Sequence, residues 1–203
     1  MEAETRDRGG RVLPVLGLLA LVLIPSIAFI GDLGFYWDDW VFVRGWTEGG
    51  PEKISALWAY DRPIYGAVFN WTLSLLELNP LHWQIAALVA HFLCGWAVLF
   101  LARELWPGKS VGPFVAGAIY LLYPGFGLRE VSLIYSHGLI IQFMALASLG
   151  LMMRAQTRRL LLLPAVALGL VHGFTDYFIG YEVARPFLLL VGVALARREA
   201  LAW

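Results

Sequence analysis

One cysteine, Cys94, stands in a chain of 203 residues. A lone thiol excludes an internal disulfide and any zinc cluster built on thiolates. Charge is also sparse. Only 15% of residues are charged, against about 25% in an ordinary soluble domain. Fifteen basic residues cancel fifteen acidic ones, and the missing basic excess argues against a dedicated nucleic-acid binder. Polar tracts are too few for a disordered chain. What is present instead is apolar: 60% of the residues are hydrophobic, against roughly 45–50% in soluble domains. A soluble fold of this length cannot hide so much apolar surface. The class expected is an all-α integral membrane protein, because the apolar runs are too long for barrel strands.

Six stretches are expected to cross the bilayer, at 12–30, 80–105, 111–123, 131–153, 160–178 and 183–196. The third and sixth fall short of the roughly 20 residues that a crossing needs. Breakers agree with the partition. Asn79-Pro80 reads as an N-cap followed by proline at N1, and Pro124-Gly125 stops the third stretch. Arg6, Arg8 and Arg11 precede the first stretch and Ser26-Ile27-Ala28 resembles a cleavage site. The apolar run is longer than a usual signal-peptide core, so a retained anchor is expected. With the N-terminus in the cytoplasm, ten Lys and Arg fall inside and five outside, as the positive-inside rule requires. The location expected is an inner (plasma) membrane of bacterial type.

Segment 31–79 is the long outer loop of this scheme. It opens with Phe35-Tyr36-Trp37-Asp38-Asp39-Trp40, turns at Gly49-Gly50-Pro51 and continues from Asp61-Arg62-Pro63 into a helix-compatible stretch. That stretch is too polar to span and is expected to lie along the outer interface as an amphipathic helix. Interfacial belts account for Trp37, Trp40, Trp46 and Trp58. They do not account for Asp38 and Asp39, since carboxylates beside a membrane cost desolvation energy unless paired or used.

Trp37-Asp38-Asp39-Trp40, Asp61-Arg62-Pro63, the span with His82 and His91, Tyr123-Pro124-Gly125 and Tyr181-Glu182 occur in that order. In order and placement they resemble the N-terminal half of GT-C glycosyltransferases, which include protein O-mannosyltransferases and the aminoarabinose transferases of lipid A. The resemblance implies a GT-C-like fold and transfer of a sugar from a polyprenyl-phosphate carrier to an acceptor outside the cytoplasm, with inversion. It implies Asp38 as the base and Asp39 as an orienting or metal-binding partner. Oxygen ligands would suit Mg²⁺ or Mn²⁺, but many relatives work without a cation, so no metal is assigned. Members of that family are longer, which implies a longer chain, a partner membrane subunit supplying further helices, or a truncated relative that keeps the fold and has lost catalysis.

Other residues of the binding set come from charge and placement. Arg62 and Arg129 fall on the outer side, where a guanidinium suits phosphate oxygens; the bland alternative is snorkelling to lipid headgroups. His82 and His137 fall near the same leaflet, and each is individually more ordinary as a neutral helix-bonding histidine. Glu182, placed in the cavity by the resemblance, equally suits a first-turn carboxylate. The competing reading is a non-catalytic structural or assembly subunit of a larger membrane complex. Haem or pigment ligation by His91, His137 or His172 is a third reading. A transporter is weaker, because no internal repeat is evident.

Overall fold

A computed structural model describes residues 2–123, 130–173 and 179–201, with side chains described over 12–123, 130–171 and 180–194. These residues form eight α-helices: α1 (Glu2–Ile27), α2 (Asp39–Trp58), α3 (Pro63–Leu76), α4 (Pro80–Leu105), α5 (Val111–Leu122), α6 (Ser132–Ala155), α7 (Leu162–Gly173) and α8 (Ile179–Leu201). Two compact units are distinguishable. One comprises Met1–Ile24, Ala90–Tyr123 and Leu139–Trp203; the other comprises Pro25–Val89 and Pro124–Gly138.

The expectation of six crossings is corrected. Among the described residues only α4 and α6 are long and apolar enough to cross a membrane, which supports a membrane location. The reason is length. The apolar parts of the others are Val12–Ile27, Val111–Leu122 and Arg159–Val171. At 1.5 Å per residue, α5 reaches only about 18 Å, against about 30 Å of hydrocarbon. In α8 the apolar run is interrupted by Arg185 and followed by Arg197 and Arg198.

Segment 31–79 holds two helices, α2 and α3. Residues 39–58 form α2, which kinks at Gly50 (φ 57°, ψ −148°) ahead of Pro51. That backbone conformation is open to glycine at little cost, so helix continues on both sides of what reads as a turn. Helix α3 pairs with α2 as a hairpin. A Cβ on Gly66 would lie 3.0 Å from the Cα of Ser55, so the two helices approach closely there. Asn70 Nδ2 donates to the Pro51 carbonyl at 3.0 Å and to Ser55 Oγ at 2.9 Å, which joins α3 to the helical turn after the kink.

Aromatic rings fill this unit. Phe42 stacks on Phe69 with centroids 4.6 Å apart, and Trp58 packs on both. Phe69 and Trp83 are wholly buried. Each such pair contributes about 0.5–1.5 kcal/mol beyond its area burial. The α3–α4 link is pinned from α4. Asn79 Oδ1 accepts the Leu81 N–H, and Pro80 sits first in the helix, where its missing N–H costs nothing.

In the other unit the polar side chains on α4 and α6 pair with groups on neighbouring helices. Tyr120 donates to Gln142 Oε1 at 2.7 Å, and Gln142 Nε2 donates to the Tyr181 hydroxyl at 2.8 Å. Cys94 donates to the Leu139 carbonyl. Arg185 is held by Glu182 and donates to Ser148 Oγ. Pairing of this kind is what apolar surroundings demand of a polar group.

Candidate functional site

The residues of greatest chemical interest lie where the chain enters α2, in the unit holding Pro25–Val89. Three backbone bonds shape the entry: Asp39 N–H to the Tyr36 carbonyl, Trp40 N–H to that of Trp37, and Val41 N–H to that of Asp38. Trp37 sits at φ 46°, a region that an L-residue enters at a cost of about 1–2 kcal/mol. Trp37 is 75% exposed and Trp40 57%. Asp38 is the N-cap of α2, yet its side chain makes no capping bond, so its exposed carboxylate remains available.

Asp39 faces a different environment. It is fully buried. Its Oδ1 accepts the Ile134 N–H at 3.1 Å, and its Oδ2 accepts the Tyr36 N–H at 3.5 Å. Ile134 belongs to the first turn of α6, where amides lack intrahelical partners and carry partial positive charge. Burial raises the Asp39 pKa; the amides of Ile134, Leu133, Tyr36 and Ser132 pull it part of the way back. The neighbouring aspartates therefore divide their work. Asp39 ties the entry of α2 to the start of α6, and Asp38 stays outside.

The other expected residues are placed as follows. The Arg62 guanidinium lies 6.0 Å from the Trp58 ring centroid, with Asp61 at 3.9 Å. His82 Nδ1 bonds the Leu76 carbonyl at 2.9 Å and Nε2 faces the Asn79 amide at 3.4 Å, an arrangement that closes the end of α3. His137 is buried, with Nδ1 on the Leu133 carbonyl and Nε2 on Thr72 Oγ1, both at 2.9 Å. Its ring stacks on Phe69 at 3.9 Å. Both nitrogens of His137 are thus occupied. Glu182 lies in the other unit and holds Arg185 through both carboxylate oxygens at 2.6 Å. Arg129 and the side chain of His172 lie outside the described residues. His91 Nε2 bonds the Leu121 carbonyl at 3.1 Å.

Two contributors were not singled out from sequence. Trp37 read as a belt residue, and only its backbone conformation marks it. Gln84 is polar within an apolar helix, the one signal that could have found it. Its Nε2 donates to the carbonyls of Gly34 at 3.1 Å and Glu130 at 2.9 Å, so it fixes the strand of chain leading to Trp37. Beside it lies a cavity of about 280 Å³ lined by Ser26, Phe29, Leu33, Gln84 and Glu130, among others. Among the described residues no group of three or more His, Cys, Asp or Glu could hold a metal ion.

No family model, no curated protein and no solved structure matches the chain.

Proposed function

We propose that this protein transfers a sugar from a polyprenyl-phosphate carrier to a hydroxyl acceptor outside the cytoplasm, at a bacterial plasma membrane. One observation carries this reading: Asp38 is exposed and makes no capping bond, its near neighbours in the chain Trp37 and Trp40 are exposed as well, and Asp39 anchors the same turn to α6. A pyranose presents an apolar ring face that suits an indole, and a hydroxyl rim that suits a carboxylate. Asp38 takes the acceptor's proton as general base. The acceptor oxygen forms its bond to the anomeric carbon as the carbon–oxygen bond to the phosphate breaks, and the lipid phosphate leaves with the electron pair. Arg62 suits the leaving oxygens. Asp39 is a positioning residue, and no cation is assigned a step.

The second reading, a non-catalytic assembly subunit that works with a partner membrane subunit, is favoured by the structural bonds made by Asp39, His82 and His137. The test is a transfer assay in membrane vesicles with labelled polyprenyl-phosphate sugar, comparing the intact chain with Asp38→Asn. Loss of about 100-fold or more is expected for a positioned base. Equal product from both proteins would overturn the assignment. No product from either, with a partner copurifying, would favour the subunit reading.

A further inference from the structure

A second concave surface lies in the unit that holds Ala90–Tyr123, and none of its lining residues is assigned a role above. It is an open groove of about 600 Å³ formed by the turn after α4 and one face of α5. The turn is closed by the Lys109 N–H on the Trp106 carbonyl at 3.2 Å, and both side chains line the groove. Below them run Val111, Val115 and Ile119, which are 73%, 44% and 63% exposed. They recur every four residues and so share one helix face, which rises about 12 Å from end to end. The opposite face of α5, with Pro113, Gly117 and Leu121, is buried.

The lining is polarised. An exposed lysine and an indole stand at one end, an apolar stripe extends from them, and among the described residues no acidic one lines the groove. A free soluble anion would leave the stripe wet, and a purely apolar molecule would leave the lysine unused. An occupant that satisfies both ends is an amphiphile with a negative head and a hydrocarbon chain. Tryptophan and lysine at the headgroup level, above an apolar face, are what an interfacial lipid contact requires. We infer that this groove binds an anionic phospholipid, with the phosphate at Lys109, the glycerol region against Trp106 and one acyl chain along Val111, Val115 and Ile119.

The experiment uses the full chain in nanodiscs containing phosphatidylglycerol or phosphatidylcholine brominated in the acyl chain, and reads the quenching of Trp106. Its signal is isolated by subtracting the same measurement on Trp106→Phe. The preference for phosphatidylglycerol should be about fivefold, the equivalent of about 1 kcal/mol for one lysine near an anionic surface. Lys109→Gln should abolish that preference and leave quenching by phosphatidylcholine unchanged. Lys109→Arg should keep it. Equal quenching by both lipids in the unaltered protein would mean ordinary annular contact and would overturn the inference. A preference that survives Lys109→Gln would overturn it equally.

Discussion

Removing the Asp39 carboxylate should separate its anchoring role from any chemistry at Asp38. In Asp39→Ala the N–H groups of Ile134 and Tyr36 lose their acceptor inside a buried site. An unmet buried donor costs about 1–3 kcal/mol, and loss of an acceptor at a helix N-terminus costs typically about 1 kcal/mol. Allowing for overlap, the destabilisation should be about 2–4 kcal/mol, which lowers the midpoint by about 4–16 °C for a chain of this size. Asp39→Asn keeps an acceptor oxygen and removes the buried charge, so it should lie within about 1 kcal/mol of the unaltered protein. The pH dependence has a definite sign. Burial raises the folded pKa above the usual value near 3.8, so the folded state holds its proton longer than the unfolded one. Stability from this group is then highest below pH 3.8 and falls as pH rises to the folded pKa, with no further change above it. Asp39→Asn should lack that fall. The assay is thermal unfolding by circular dichroism in detergent from about pH 3 upward, with the difference between Asp and Asn taken at each pH. An Ala variant as stable as the unaltered protein would refute the anchoring argument. So would a difference that grows in favour of Asp as pH rises through the window.

Trp37→Gly should relieve the left-handed backbone, offset by glycine's larger unfolded-state entropy, for a net change of about 0 to 1 kcal/mol towards greater stability. Sugar transfer by the same variant should fall at least about tenfold if the indole is a binding surface; unfolding and transfer assays read the two separately. Gln84→Leu leaves the Gly34 and Glu130 carbonyls without their shared donor and should cost about 1–3 kcal/mol in thermal unfolding. Gly66→Ala drives a methyl to 3.0 Å from the Ser55 backbone, and the resulting separation of α2 from α3 should cost about 1–3 kcal/mol in the same measurement.

Local signals in the sequence were legible, and long-range ones were not. Asn79-Pro80 marks the start of α4 because capping and a missing N–H act within two residues. The apolar run from residue 80 to 105 coincides with that helix for the same kind of reason. Gly50-Pro51 marks a break in direction, and α2 runs as helix on either side of it. Total apolar content pointed to a membrane and overstated the crossings, since composition does not say how long each helix runs before a polar interruption. Asp38 and Asp39 look equivalent in sequence. They differ because a partner 95 residues further on claims one of them. His137 likewise owes its ordinary role to Thr72, 65 residues earlier.

The join between α3 and α4 has a mechanical meaning. His82 grips the Leu76 carbonyl, and the Trp83 indole grips that of Glu77 at 2.8 Å. Two rings on the opening turn of one rod thus clasp the closing turn of the rod before it, with only Asn79-Pro80 and their neighbours in between. Two side-chain bonds across so short a link couple the ends of the two helices. A ligand that tilts the α2–α3 pair would turn the head of α4 like the short arm of a crank, and a blow there would be felt as torque rather than absorbed as bending.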